Sequence, residues 1–309
     1  MNIWLGSNLS PTQHASAVTI GNFDGVHSGH LHILQRLKNE AIHRGLQSVV
    51  VIFEPQPNEF FARQHHRSPI ARLTPLRDKL QLLQQSQCVD EVYVLRFNHQ
   101  FAQMPASSFI QTILRERLNT RYLLVGDDFR FGQARTGDFD LLRRQPDFIT
   151  ERTPSILIAG ERASSTAVRQ ALNTGRLDQA RQILGHDYQL SGRVKHGKKL
   201  GRTLGSPTAN IHLPPHHYAL HGVFVVEAIS ALGKHQGVAN FGSNPTVEQT
   251  HSPKLEVHLL DFQGNLYGKR LSINFLHKLR DEQKFASLEK LVQQIHADMD
   301  AARNWWADA

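Results

Sequence analysis

Two histidines in a glycine-rich turn are the side chains whose type and spacing point most clearly to chemistry. His27 and His30 stand three positions apart, after an apolar run at residues 17–20 and before an amphipathic helical pattern. This layout predicts a helix N-terminus, which favours phosphate because it carries partial positive charge and unpaired N–H donors. A glycine-rich β–α turn with incidental histidines is the alternative. We expect the other turn residues that contact nucleotide or phosphate to be Gly21, Asn22, Phe23, Asp24 and Gly29.

A second segment places hydroxyl and basic side chains at the start of another predicted helix. Residues 164–169 follow an apolar run at residues 155–159, which is predicted to be a strand. Hydroxyls at a helix N-cap bond the helix amides or a phosphate, and a basic residue one turn later can reach the same anion. Ser165, Thr166 and Arg169 are therefore candidate phosphate ligands. An ordinary serine cap with a surface arginine is the alternative.

Taken together, the two segments resemble the nucleotidyltransferase superfamily whose signatures are an HxGH turn and an ISSTxxR helix start. The paired pattern is far more specific than either segment alone. Ala163 stands where the superfamily usually has Ile, at a position that we expect to serve packing.

The size and composition of the chain limit the class of protein to which it can belong. A length of 309 residues predicts two domains, each large enough for its own core. No stretch approaches the roughly 20 apolar residues of a membrane span, and the N-terminus lacks the pattern of a signal peptide. Cys88 is the only cysteine, which agrees with a reducing cytoplasm. We therefore expect a cytoplasmic protein with no membrane partner, while its oligomeric state stays open.

The net charge of +8 indicates anionic partners. The basic residues are spread along the chain without a run of five or more, and no aromatic-basic repeat of the RNA-recognition kind occurs. We therefore interpret the charge as serving small polyphosphates and expect no nucleic-acid partner.

The first 185 or so residues alternate short apolar runs with helical patterns. Alternation of this kind predicts a parallel sheet with helices on both faces, whose ligands bind beyond the carboxyl ends of the strands. Both the His27 turn and the Asp127–Asp128 segment fall there, and Asp128 is a candidate for nucleotide or flavin contacts. The predicted strands are residues 17–20, 48–53, 91–96, 121–125 and 155–159.

From about residue 188 the pattern changes to strands without intervening helices, which predicts an antiparallel sheet or small barrel. A last helix from Ser287 keeps apolar residues at helical spacing and is expected to cover the barrel. We place the domain boundary in the linker 184–187, giving domains 1–185 and 186–309. The predicted strands of the second domain are residues 188–195, 223–230, 235–240, 254–261 and 270–276.

The second domain carries its own candidate site. Thr208 and Asn210 point the same way if extended, and their oxygens are hard ligands suited to Mg²⁺ with phosphate. Glu256, on a predicted strand, is a candidate base for an attacking alcohol, with a merely solvent-exposed carboxylate as the alternative. A basic loop precedes these residues and could close on an anion, although a flexible hairpin turn is equally compatible with it. The loop residues that we expect to bind phosphate are Gly197, Lys198, Gly201 and Gly205.

Here the resemblance extends over essentially the whole chain. Residues 205–210 look like the GxPTAN signature of riboflavin kinases, and residues 255–258 look like their catalytic-glutamate strand. Residues 53–57, 125–132 and 279–285 also match, so the chain is similar to the bacterial bifunctional riboflavin kinase/FAD synthetases. Ser206 replaces the usual Phe, and Asn244 stands where Arg often precedes Pro-Thr. Either departure could alter flavin or nucleotide affinity.

The resemblance implies a Rossmann-like nucleotidyltransferase domain followed by a riboflavin kinase barrel, and two successive reactions. The carboxyl-terminal domain would phosphorylate riboflavin with ATP and Mg²⁺ to give FMN, with Glu256 as base and Arg280 and Glu282 at the flavin. The amino-terminal domain would move AMP from ATP to FMN, giving FAD and pyrophosphate. There His27 and His30 would neutralise the phosphates, while Ser165, Thr166 and Arg169 would hold them.

Two other functions stay open at this point. A different nucleotidyltransferase, acting on nicotinamide or pantetheine phosphates, explains the first half of the chain but leaves the GxPTAN segment unexplained. A nucleic-acid-binding protein with a basic α/β domain and a small barrel would show salt-dependent DNA binding without ATP turnover.

Overall fold

A computed structural model of the chain describes residues 1–6, 12, 14–154, 156–158, 160–195, 208–243 and 253–309. The chain divides into two compact units. The first comprises Met1–Ile70 and Lys79–Ala163, and the second comprises Ala71–Asp78 and Ser164–Ala309. The predicted phosphate loop lies outside the described residues, as do two of the family departures: Gly197, Lys198, Gly201, Gly205, Ser206 and Asn244.

The first unit is built on a six-stranded parallel sheet with the order β1-β4-β3-β2-β5-β6. The central strands are buried almost throughout, as expected where a parallel sheet is covered on both faces. This confirms the predicted parallel sheet. The six strands are β1 (Asn2–Leu5), β2 (Ser16–Ile20), β3 (Gln47–Glu54), β4 (Glu91–Arg96), β5 (Thr120–Gly126) and β6 (Ile149–Thr153).

Short helices connect these strands, and α1 (Ser28–Arg44) is the longest among those of the first unit that the structure describes. It buries Leu34, Leu37 and Ala41 on one face and ends at Gly45, whose φ of 64° satisfies the left-handed cap. The others are α2 (Pro57–Gln64), α4 (His99–Ala102), α5 (Ala106–Ser108), a π-helix (Phe109–Arg117), a 3₁₀ turn (Gln133–Arg135) and α6 (Phe139–Arg143). Helix α3 (Leu76–Gln85) begins among the residues of the second unit and continues into those of the first.

The prediction of a sheet strand at residues 155–159 is wrong. In the described part of that run, β7 (Leu157–Ile158) forms a small hairpin with β8 (Glu161–Arg162), and the last strand of the sheet is β6 instead. Both β1 and β6 lie at edges of the sheet; β1 exposes all four of its residues, and β6 buries only Thr153. β6 has no continuous apolar run and β1 only a run of three residues, so a search for longer runs passes over both strands.

The second unit contains a closed six-stranded antiparallel barrel with the order β10-β13-β12-β11-β14-β9, which confirms the predicted barrel. The terminal helix also follows the prediction: Ser287 caps α9 (Leu288–Asp308), whose Ala302 is buried against the barrel strands. Two further helices, α7 (Ser165–Asn173) and α8 (Leu177–Leu184), belong to this unit. The strands are β9 (Tyr188–Lys195), β10 (Ala209–His212), β11 (Gly222–Ser230), β12 (Gly233–Ser243), β13 (Pro253–Leu259) and β14 (Arg270–Arg280).

Residues 71–78 are joined to the barrel by buried polar contacts. The backbone N–H of Ser191 donates to Asp78 Oδ2 at 2.9 Å, and its hydroxyl donates to Asp78 Oδ1 at 2.5 Å. Arg270 Nη1 in turn donates to Ser191 Oγ at 3.0 Å, and the Tyr188 hydroxyl donates to the Leu73 carbonyl at 2.9 Å. Burial raises the pKa of Asp78, while the bonds from Ser191 and the charge of Arg270 act in the opposite direction.

The raised pKa of Asp78 predicts a pH-dependent contribution to stability. Because the native state holds this proton more tightly than the unfolded chain, the contribution is complete below about pH 4 and is lost as pH rises through the folded-state pKa. The measured quantity is the free energy of unfolding of wild type minus that of Asp78→Asn, from urea titrations. We expect this difference to fall as pH rises from about 4 to neutrality. The exposed Asp300→Asn is the control, and a difference for Asp78→Asn that does not vary with pH would contradict the prediction.

Candidate functional site

The turn that follows β2 places the two histidines at the start of α1. Gly21 N–H donates to the Val51 carbonyl at 3.1 Å, so the chain leaves the sheet at a fixed point. Phe23 and Val26 have φ values of 46° and 42°, a region that non-glycine residues seldom adopt and that clusters at functional sites. His27 then caps α1, and its Nδ1 accepts from the backbone N–H of His30 at 3.4 Å.

The imidazoles of His27 and His30 stack with ring centroids 3.6 Å apart. A Cβ at Gly29 would lie 3.1 Å from two ring atoms of His27 and 3.2 Å from the Ala163 carbonyl, so only glycine fits without displacement. Ala163 itself is 7% exposed, as expected for a packing position. The glycine of the HxGH segment thus leaves room for the ring of His27.

The electrostatics of His30 favour a neutral ring in the free protein. Burial lowers the pKa of His30 well below its ordinary value, and the nearby charges of His27 and Lys79 lower it further. His30 Nδ1 is shielded from solvent and has no hydrogen-bond partner in the part of the chain that the structure describes. A buried ring nitrogen without a partner is costly, and an anionic ligand would satisfy it and favour the protonated form.

Sheet topology brings the Asp127–Asp128 segment to the same edge as the histidine turn. β2 and β5 are neighbouring parallel strands, and the chain order reverses between them, so this edge is the topological switch point of the sheet. Asp127 and Asp128 follow β5 and are exposed. The predicted placement of both segments beyond the carboxyl ends of the strands is therefore confirmed.

An aromatic cluster in the first unit was not predicted from sequence. Phe97, which follows β4, lies with its ring centroid 5.8 Å from that of Phe53 at the end of β3 and 5.6 Å from that of Phe101. Phe60 and Phe61 of α2 contact the same ring, and Phe61 remains 42% exposed. Half-exposed rings of this kind can stack a flat heteroaromatic ligand. Their positions follow no single period, so the sequence carried no signal beyond the matched segment 53–57.

The second set of predicted phosphate ligands lies in the second unit. Ser164 caps α7 by accepting from the Ala167 N–H at 3.2 Å, which leaves Ser165 and Thr166 in the first turn. Arg169 Nε donates to the Ala71 carbonyl within the same unit.

In the barrel, strand register aligns the residues proposed for phosphoryl transfer. Asn210 of β10 lies directly opposite Glu256 of β13. Leu255 and Val257, which flank Glu256, are buried in the barrel. Because side chains alternate along a strand, Glu256 and its partner Asn210 lie on the outer face. Lys254 Nζ pairs with Glu256 Oε2 at 3.0 Å, and the Glu256 side chain is 27% exposed.

Thr208 is half-buried and immediately precedes β10, two positions before Asn210. A hydroxyl and a carboxamide oxygen beside a carboxylate form a donor set of the kind that Mg²⁺ accepts together with phosphate. No group of three or more His, Cys, Asp or Glu side chains that could hold a metal occurs among the described residues.

The structure gives different surroundings to the two residues expected at the flavin. Arg280 donates to the buried Asp298 of α9 through Nε at 2.9 Å and Nη2 at 2.7 Å, so its guanidinium ties β14 to the terminal helix. Glu282 is exposed, and its carboxylate lies against Gly242 of β12, where a Cβ would collide with it.

Both halves of the chain match known protein families. The model of the FAD synthetase family matches residues 9–167, and that of the riboflavin kinase family matches residues 184–306. A Pseudomonas fluorescens protein named bifunctional riboflavin kinase/FMN adenylyltransferase is 45% identical over 299 residues, which cover 96% of this chain and 94% of the relative. The Escherichia coli (strain K12) protein of the same name is 46% identical over 306 residues, covering 97% and 96%.

The fold also matches a solved structure over nearly its full length. A Streptococcus pneumoniae protein described as a macrolide-efflux protein aligns with a TM-score of 0.79 and 30% identity over 96% of both chains. In the described part of the present chain, no helix is long and apolar enough to cross a membrane. Because two family models match in succession and relatives of the same two-part kind align end to end, the chain belongs to the bifunctional riboflavin kinase/FMN adenylyltransferase family.

Proposed function

We propose that this chain makes FAD from riboflavin in two steps, each of which consumes ATP. The first step forms FMN, and the second joins AMP to FMN and releases pyrophosphate. One observation carries the proposal: each family model covers a part of the chain that has its own reactive grouping. The stacked histidines fall in the first part, and the Asn210–Glu256 pair falls in the second.

The kinase step needs a base, because the ribityl 5′ hydroxyl of riboflavin is a poor nucleophile. Glu256 takes the hydroxyl proton as the 5′ oxygen forms a bond to the γ-phosphorus of ATP and ADP leaves. The ion pair with Lys254 holds the carboxylate of Glu256 in place. The exposure of Glu256 on the outer face of the barrel gives the substrate access to it.

We assign the magnesium site of the kinase to Thr208 and Asn210, whose oxygens fit the preference of this ion. When bound, Mg²⁺ would neutralise phosphate charge on ATP. Asn210 has a fixed position relative to Glu256 because the two residues are paired across neighbouring strands. Gly197, Lys198, Gly201 and Gly205 are proposed to contact the same phosphates.

The adenylyl transfer needs no base, because the attacking FMN phosphate is already an anion. An FMN oxygen forms a bond to the α-phosphorus of ATP while the bond to pyrophosphate breaks, so the protein contributes positioning and charge stabilisation. His27 and His30 lie at the N-terminus of α1 and donate to the phosphates there. The family resemblance assigns Ser165, Thr166 and Arg169 to the same reaction, and the aromatic cluster around Phe97 offers a surface for the flavin ring.

The remaining assignments follow from the same function. We propose that the two activities divide the chain between residues 185 and 186; the first family model ends at residue 167 and the second begins at residue 184. The substrates are small molecules, namely riboflavin, FMN and ATP. We propose that the protein works in the cytoplasm without a nucleic-acid or membrane partner.

Incubation of the full chain with riboflavin, ATP and Mg²⁺ tests the proposed function directly. Chromatography should show riboflavin disappearing, FMN appearing first and FAD accumulating later, and EDTA should stop FMN formation because the kinase donors need the metal. Neither product forming would refute the function, whereas FMN without FAD would refute only its second step.

Loss of His30 should remove FAD synthesis and spare FMN synthesis. His30→Ala deletes one electrostatic contact to the transferred phosphate, which typically costs about 10²–10³ in rate. Arg169→Ala should act in the same direction. The exposed His32→Ala on the same helix is the matched control, and a folded His30 variant that loses both activities equally would contradict separate sites.

Glu256→Gln should slow FMN formation by about 10²–10⁴, because the amide keeps the shape of the side chain but cannot accept a proton at neutral pH. FMN supplied directly should still become FAD. Glu227→Gln is the control, since Glu227 also pairs with a lysine, Lys234, on the same barrel. Turnover of riboflavin near the wild-type rate would leave Glu256 with a structural role alone.

A further inference from the structure

Asn240 of β12 has a polar atom whose burial the fold does not explain. Its Oδ1 is shielded from solvent and has no hydrogen-bond partner among the described residues. Burying a carboxamide oxygen without a partner is costly, and such an atom beside a proposed catalytic residue is a candidate to bind a ligand.

A second asparagine of the barrel shows the usual arrangement. Asn274 Oδ1 accepts from Gln189 Nε2 at 2.6 Å, and Asn274 Nδ2 donates to Glu227 Oε2 at 3.2 Å. Both polar atoms of that side chain therefore have protein partners. Asn240, which lies directly opposite the proposed base Glu256, lacks such a partner for Oδ1 among the described residues.

Strand register places Asn240 beside Glu256. Asn240 is directly opposite Glu256, which is directly opposite Asn210 on its other side. Ala239 and Phe241, the neighbours of Asn240 along β12, are buried in the barrel. The alternation along the strand therefore puts Asn240 on the same outer face as Glu256. The three side chains form one row across β12, β13 and β10.

The assignments proposed above give the two ends of this row to different substrates. Asn210 marks the end proposed for Mg²⁺ and ATP. Gly242 lies two residues beyond Asn240 on the same face of β12, and the carboxylate of Glu282, the residue expected at the flavin, rests against it. Asn240 thus lies on the flavin side of the base.

We propose that Asn240 binds the acceptor alcohol of the kinase step: its Oδ1 accepts a hydrogen bond from the ribityl 4′ hydroxyl of riboflavin. Opposed residues on antiparallel strands have Cβ atoms about 4.5–5.5 Å apart, so their side chains can converge on two hydroxyls of adjacent carbons. The contact holds the 5′ hydroxyl against Glu256. This inference rests on the proposed kinase function and adds a specificity determinant to it.

Comparison of riboflavin with 4′-deoxyriboflavin tests the contact. Wild type should phosphorylate the deoxy analogue with a kcat/KM about 3- to 10-fold lower than that for riboflavin, the effect of one lost hydrogen bond. Asn240→Ala should lower kcat/KM for riboflavin by a similar factor and abolish the discrimination between the two flavins. The KM for ATP should not change. Thermal unfolding should show no loss of stability, because Oδ1 has no partner to lose among the described residues.

Asn274→Ala is the matched control, which should lower the unfolding midpoint and keep the discrimination. Wild type that treats both flavins alike would overturn the inference, and so would a folded Asn240→Ala that still prefers riboflavin. Asn240→Val, which also lacks a side-chain acceptor and suits a strand, replaces the alanine variant should that one fail to fold. Wild type that phosphorylates neither flavin would refute the kinase function itself, which separates the two failures.

Discussion

Backbone hydrogen bonding between neighbouring strands sets the position of each proposed reactive group that follows or occupies a strand. In the barrel, a slip of one residue between β12 and β13 would turn Glu256 toward the core and replace it with an apolar side chain on the outer face. In the parallel sheet, the pairing of β2 with β5 brings the histidine turn and Asp128 to one edge. Buried apolar residues fix the strand register in both sheets. In the barrel they alternate with the reactive positions, and in the parallel sheet they fill the strands that precede them.

Among the residues that the structure describes, each unit has a buried polar atom without a partner at its proposed site. In the first unit it is His30 Nδ1, and in the second it is Asn240 Oδ1. Such atoms reduce the stability of the native state, and proteins retain them where substrate binding compensates. Among the described residues of the second unit, Asp78 and Asn274 have partners, whereas Gln179, His235 and Trp306 each have a buried polar atom without one.

The two reactions make different demands, and the two sites that we propose differ accordingly. An alcohol must lose a proton as it attacks phosphorus, so the barrel offers a carboxylate held by Lys254. An FMN phosphate is already charged, so the first unit offers paired imidazoles and a helix N-terminus. Neither grouping would serve the other reaction well. This difference explains why one chain carries two separate sites.

The sequence by itself determined the histidine turn, the parallel sheet and the barrel, because local periodicity and turn chemistry specify them. It also determined the family, through motifs that are contiguous along the chain. Only the tertiary structure decided that residues 71–78 belong with the barrel and that β1 and β6 complete the sheet. It also decided that Asn240 stands beside Glu256 and that phenylalanines from β3, α2 and the segment after β4 share one cluster. These arrangements join residues that are far apart in the chain. Long-range strand pairing and packing produce no local sequence pattern, so the sequence around each residue does not reveal its partners.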